Sequence, residues 1–233
     1  MTENKGLFIS FEGIDGIGKS CQLKLLAKKL MELEHSLYIT KEPGDSFQGS
    51  NIGKGIRPLL FTDPSTKGMG EGVADLLFLA DHLQNSYDIA NALKENKIVL
   101  CDRYADSQFA YSASPSKKTP EWANNLFVDH FGPVPDLTIL FVAHGPITIE
   151  GKEDIAWALD RANARRGTES GKQNGKAWNE VEEQRKIQDY YLLKLAQEHR
   201  TVQVHVLEGT TIDEVHKYIM TEINYRFPYL NKE

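Results

Sequence analysis

The chain has 233 residues, with 27 Lys and Arg against 33 Asp and Glu, for a formal net charge of −6, and 40% of it is hydrophobic. That length suits one α/β domain with a sizeable core, and the acidic balance argues against a general nucleic-acid or membrane-surface binder, which would need a net basic face. No apolar run approaches the roughly 18 residues of a spanning helix. No leader-like segment precedes the first strand, and the two cysteines, Cys21 and Cys101, have no CxxC partner, so a disulfide scaffold or zinc knuckle is not expected. A cytoplasmic protein is.

Short β-branched and apolar runs alternate with helical stretches. Leu7 to Phe11, Leu37 to Thr40, Ile98 to Cys101, Leu137 to Val142 and Val202 to Leu207 read as five strands. The first four are nearly apolar throughout, as when helices cover both faces of a sheet. The fifth alternates, with Val202, Val204 and Val206 on one face and Gln203 and His205 on the other, which suits an edge. Strands separated by helices imply a parallel sheet in a single α/β domain spanning 1–233.

Between the first two strands lies Gly13-Ile14-Asp15-Gly16-Ile17-Gly18-Lys19-Ser20, which matches G-x-x-x-x-G-K-[ST] and precedes a helix beginning near Gln22. Glycines let successive backbone N–H groups turn inward onto phosphate oxygens. Lys19 supplies charge at the β- and γ-phosphates, and Ser20 offers a hydroxyl to Mg²⁺. Gly13 to Cys21 are therefore the expected nucleoside-triphosphate-binding residues.

From Val73 to Leu93, the positions Val73, Leu76, Ala80, Leu83, Tyr87 and Ala90 follow helical spacing. This stripe suits either the core or a subunit interface. The opposite face carries Asp75, Phe78, His82 and Asn85. The third strand ends in Asp102-Arg103-Tyr104, at the sheet edge where ligands bind in such folds. Asp102 can support a Mg²⁺ shell, and Arg103 can clamp phosphate through its planar fork. Asn96-Lys97-Ile98-Val99 lacks the aspartate of a guanine-reading motif, and Asp102-Arg103-Tyr104-Ala105 is not Asp-x-x-Gly; both argue against a GTPase and leave a small-molecule kinase.

Farther on, Arg161 and Arg165 stand four apart on one helical face. Like charges at that spacing repel slightly, so the pair makes more sense facing phosphate than water. Thr168 to Asn179 is rich in Gly, Lys, Gln and Asn and reads as a loop. The final helix opens on Thr211-Ile212-Asp213-Glu214, a capping box.

Taken together, Phe11-Glu12-Gly13-Ile14-Asp15-Gly16-Ile17-Gly18-Lys19-Ser20, Lys41-Glu42-Pro43-Gly44, Leu76-Leu77-Phe78-Leu79-Ala80-Asp81, Asp102-Arg103-Tyr104 through Ser107, Ala110 and Tyr111, and Pro135-Asp136-Leu137-Thr138 resemble the thymidylate kinase family over nearly the whole chain. The resemblance implies a P-loop kinase three-layer sandwich: a five-stranded parallel sheet flanked by helices, with a lid over roughly 158–179. It implies a homodimer and a Mg²⁺-dependent transfer of the ATP γ-phosphoryl group to dTMP. Under it, Asp15 sits near the acceptor sugar and 5′-phosphate, Arg103 and Arg57 hold that phosphate, and Phe78 stacks on the pyrimidine. Tyr111 favours deoxyribose, Ser107 contacts the base, and Glu42 and His82 line the acceptor site. Lys19, Arg103, Arg161 and Arg165 are the expected catalytic groups, and Ser20 and Asp102 the metal ligands. Because the P-loop carries Gly16 where some members carry arginine, the catalytic arginine is expected in the lid.

The chain departs from the family pattern at four places. His82 replaces an arginine that lies near the base carbonyl in relatives, Lys41 replaces another arginine, Ser112 replaces a glutamine, and Gly167-Thr168-Glu169-Ser170 replaces the usual lid sequence. His144 to Gly151 reads as an insertion. Two other readings stay open from sequence: a related kinase taking another nucleotide or a nucleoside, with Glu42 as the base, and a degenerate P-loop binding protein. Lys19, Lys41, Arg57, Arg103, Arg161 and Arg165 are expected to converge on one cleft.

Overall fold

The computed structural model describes residues 6–45, 49–112, 121–148, 151–168 and 180–231. Five parallel strands form one sheet in the order β2-β3-β1-β4-β5: β1 (Leu7–Gly13), β2 (Leu37–Lys41), β3 (Ile98–Asp102), β4 (Leu137–His144) and β5 (Thr201–Leu207). The helices are α1 (Lys19–Glu32), α2 (Asn51–Phe61), α3 (Glu71–Lys94), α4 (Ala105–Ser112), α5 (Glu121–Asp129), α6 (Ala156–Thr168), α7 (Val181–Lys194) and α8 (Ile212–Arg226).

β1, β3 and all of β4 except His144 are buried, in keeping with their unbroken apolar runs. β5 lies at one edge and buries Val202, Val204 and Val206 while His205 is exposed. β2 is the other edge and only half-buried, so its apolar run did not signal two covered faces. α8 starts with the expected reciprocal Thr211–Glu214 cap.

α3 turns the expected apolar stripe outward and buries a mixed face that includes Leu79 and Ile89. Asp75, Asp81, His82 and Asn85 are buried, whereas Val73, Leu76, Leu83 and Tyr87 are exposed. The core reading of that stripe is therefore wrong for the protomer: this face is turned outward, and the buried face meets β2 and β3. Two boundaries also move. Thr168 ends α6 rather than opening a loop, while 169–179, half of the expected lid, lie outside the described residues. His144 is the last residue of β4, not the first of an insertion, and beyond it Ile147 bridges antiparallel to Glu153.

The register aligns the strand ends. Phe11 and Lys41 both pair with Asp102, and Gly13 pairs with Phe141. The carboxyl ends of β1, β2 and β3 thus meet at one edge, where parallel sheets bind ligands.

Candidate active site

At the end of β1 the chain enters the glycine-rich loop, with positive φ at Gly13 (133°), Gly16 (80°) and Gly18 (113°). Such values cost any residue with a Cβ. Gly16 has a second reason: a Cβ there would strike the Ala158 carbonyl oxygen and crowd the Ala162 amide. The small residues Ala158 and Ala162, one turn apart on α6 and both buried, let this helix lie directly on the loop.

Lys19 opens α1 and folds back into the loop, donating to the carbonyl oxygens of Gly13 (2.9 Å) and Ile14 (2.7 Å). Burial, reinforced by the Arg103 charge, pushes its ammonium down to about 7. Ile14 and Ile17 are themselves core residues, so only their backbone is available to a nucleotide. Cys21 is exposed in the first turn of α1.

Ser20 Oγ donates to Asp102 Oδ2 at 2.5 Å, and Lys41 Nζ lies 3.4 Å from the same oxygen. Burial pushes the Asp102 carboxyl up, but Lys41 and Lys19 outweigh it and hold the group below its ordinary range. Hydroxyl and carboxylate oxygens brought together this way fit Mg²⁺, which binds through one or two protein oxygens plus substrate phosphates. Among the described residues no cluster of three or more His, Cys, Asp or Glu could hold a metal alone.

Arg103 follows β3 in a left-handed conformation, φ 69°, with its amide held by the Phe11 carbonyl (3.0 Å). Its guanidinium donates to Asp15 Oδ1 (2.5 Å), Ser107 Oγ (3.0 Å) and Tyr111 Oη (3.0 Å), and lies over the Tyr111 ring. Asp15 is steadied from α7, where Gln184 Oε1 accepts its amide N–H. Ser107 is nearly buried and engaged by Arg103, Glu12 and Tyr191, so the structure places it beneath Arg103 as a support rather than facing a base.

Glu42 and His82 also differ from expectation. Glu42 Oε1 accepts from Asn85 Nδ2 (2.8 Å), and both its oxygens lie 3.1 Å from His82 Nδ1. His82 is 1% exposed, with Nε2 3.2 Å from the Phe131 carbonyl and its ring against Tyr104 and Phe127. Nδ1 faces the Glu42 carboxylate, while Nε2 lies between the Phe131 carbonyl and, at 3.4 Å, the Ser86 hydroxyl, which can donate to it. Burial pushes the imidazole down, but the Glu42 charge prevails and raises it above 6.5. His82 thus faces the protein interior, not a base.

Arg57 donates to the Pro43 carbonyl (3.0 Å) and covers Phe61, while Phe78 sits half-buried against Phe61. Arg161 is exposed and lies over Trp157; Arg165 is on α6, and its side chain lies outside the described residues. Of the six expected cations, Lys19, Lys41 and Arg103 share one cluster with Asp15 and Asp102. Three partners went unassigned in the sequence. Glu12, a carboxyl ending an apolar strand, carried a signal; Gln184 and Tyr191 on α7 carried none.

The thymidylate kinase family model matches residues 11–219. The chain belongs to the thymidylate kinase family. It is 35% identical over 197 residues to the thymidylate kinase of Geotalea uraniireducens, covering 83% of this chain and 84% of that one. It is 32% identical over 224 residues to that of Pelobacter propionicus, covering 94% of each. Among solved structures, Candida albicans thymidylate kinase is similar at TM-score 0.70 and 25% identity, with 95% of this chain and 92% of that one covered. The Ehrlichia chaffeensis enzyme shares the fold at TM-score 0.64 and 24% identity, covering 94% and 99%.

Proposed function

We propose that this chain transfers the γ-phosphoryl group of ATP to dTMP, giving dTDP and ADP, as a single-domain enzyme of dTTP biosynthesis. The observation that carries the reading is the placing of Arg103. Its fork stands at the strand edge between Asp15 of the P-loop and Tyr111 of α4, with Lys19 and Asp102 beside it. A nucleotide phosphate needs no strong base, because its second pKa is near 6 and an anionic oxygen is ready at neutral pH. That oxygen bonds to the γ-phosphorus as the bond to the ADP oxygen breaks. The protein orients the two anions and screens their repulsion.

Lys19 turns from its loop carbonyls to the β- and γ-phosphates, and Arg103 gives up part of its contact with Asp15 for the acceptor phosphate. Tyr111, held against Arg103, lines the sugar, and Phe78 and Arg57 form the remaining acceptor wall. Ser20 and Asp102 would hold Mg²⁺, which neutralises phosphate charge when bound. Arg161 and Arg165, on the helix that lies on Gly16, are the lid candidates for the transferring group; lid closure over roughly 158–179 would exclude water. Glu42 weighs against a nucleoside acceptor, since the base such a substrate requires would have to be a carboxylate already engaged by His82 and Asn85.

The outward apolar stripe of α3 favours a homodimer. Val73, Leu76, Leu83 and Tyr87 are 40–65% exposed on one helix, and contiguous apolar surface of that kind marks an interaction face. A cytoplasmic location follows from the substrates. The decisive experiment is an ADP-release assay with ATP, Mg²⁺ and dTMP, dUMP, dCMP, dGMP, dAMP or thymidine. dTMP should turn over best; thymidine turning over without dTMP would overturn the assignment.

A further inference from the structure

Glu12 is wholly buried near the end of β1, and the phosphoryl transfer makes no direct use of it. Its Oε1 accepts the Tyr104 amide at 2.8 Å. Its Oε2 closes a triangle with two hydroxyls: Ser107 Oγ at 2.5 Å and Tyr191 Oη at 3.0 Å, which lie 2.8 Å from each other. Three oxygen–oxygen contacts need three hydrogens. The two hydroxyls bring two, and Arg103 already donates into Ser107 from outside. With both hydroxyls donating to Oε2, the 2.8 Å Ser107–Tyr191 contact is left without a hydrogen, and a proton on Glu12 supplies it.

We propose that Glu12 works as an uncharged acid, a positioning residue that braces the Arg103 turn without neutralising the guanidinium. The inference rests on Arg103 being the acceptor-phosphate clamp. The brace joins three elements: the strand feeding the P-loop, the start of α4 and, through Tyr191, α7. Through the Tyr104 amide and Ser107 it fixes the chain that leaves the left-handed Arg103, whose own amide is held by the Phe11 carbonyl. An ionised Glu12 would compete with the acceptor phosphate for the Arg103 charge and break one contact of the triangle.

The groups facing Glu12 are Asp106 from α4, Arg103 and Cys101 from the β3 end, Lys19 from α1 and Tyr191 from α7. Burial first, then Asp106, pushes the carboxyl up to about 8; the Arg103 charge and the bonds from Ser107 and Tyr104 pull the other way without prevailing.

The test is E12Q, which keeps the shape and remains neutral at every pH. At pH 7 it should retain kcat/KM for dTMP within about threefold of wild type under saturating ATP. Above pH 8 the wild-type value should fall about tenfold per pH unit while E12Q stays level; E12D should lose activity at pH 7 by shortening the reach. Parallel alkaline limbs in wild type and E12Q would overturn the proposal. A readout without turnover separates this from the substrate assignment: in wild type labelled with ¹³C at glutamate carboxyls, one resonance should titrate near pH 8. If every glutamate titrates below pH 6, Glu12 is charged and the proposal fails, whichever nucleotide the enzyme accepts and whether or not E12Q folds.

Discussion

Replacing His82 by alanine tests the buried His82–Glu42 pair. In the folded chain His82 is 1% exposed and Glu42 has 11% of its side chain exposed. Removing one partner of a buried pair leaves an uncompensated charge, at a cost of about 3–5 kcal/mol. Glu42 keeps its bond from Asn85, and the Phe131 carbonyl keeps its bond from Tyr104, so the lower end applies, about 3 kcal/mol. The pH dependence has a definite sign. The folded value of His82 lies above 6.5, so its stabilisation is fully present below that pH and fades as pH rises through the folded value. Above it the neutral ring keeps its hydrogen bond to Glu42 but loses the charge, leaving about 1 kcal/mol of hydrogen bonding. Urea denaturation of wild type and H82A at pH 5.5 and pH 9 reads the difference directly. A cost at pH 9 equal to that at pH 5.5 would refute the charged pair, as would a cost below about 1 kcal/mol at the lower pH.

Lys19, held down to about 7 in the free protein, should regain its proton when phosphate arrives. ATP binding at pH 8 should then take up close to one proton, read from calorimetric enthalpies in buffers of different ionisation heat, and much less at pH 6; no buffer dependence at pH 8 would contradict this. Gly16→Ala combines a positive φ with a strike on α6 and should cost about 1–3 kcal/mol, with a parallel loss of ATP affinity by titration. Leu83→Glu on the exposed stripe should shift the sedimenting species from dimer to monomer without lowering the thermal midpoint of the monomer.

Much of the fold was legible because its signals are local. Five apolar runs found five strands, the alternation of Val202, Val204 and Val206 found an edge, and Thr211 with Glu214 found a cap. α3 misled for a physical reason: helical periodicity identifies two faces but not which one is covered. Here the covered face mixes Leu79 and Ile89 with Asp81, His82 and Asn85, whose polar groups find partners on Ser50, Glu42 and Thr40.

The net charge of −6 gives no hint of the cluster in which Lys19, Lys41 and Arg103 meet Asp15 and Asp102. The spacing from Gly13 to Ser20 by itself marked the glycine-rich loop after β1, where Gly13, Gly16 and Gly18 take positive φ, because its signal lies within eight consecutive residues. Asp102 and Arg103 were equally legible, as the last residues of an apolar strand. What only the tertiary structure decided is what each side chain faces. Ser107 and His82 turned out to support their neighbours, and Glu12 and Tyr191 entered the site from positions 179 residues apart. Burial and partner geometry set whether a carboxyl or an imidazole carries a proton, and both arise only when distant segments close around the group.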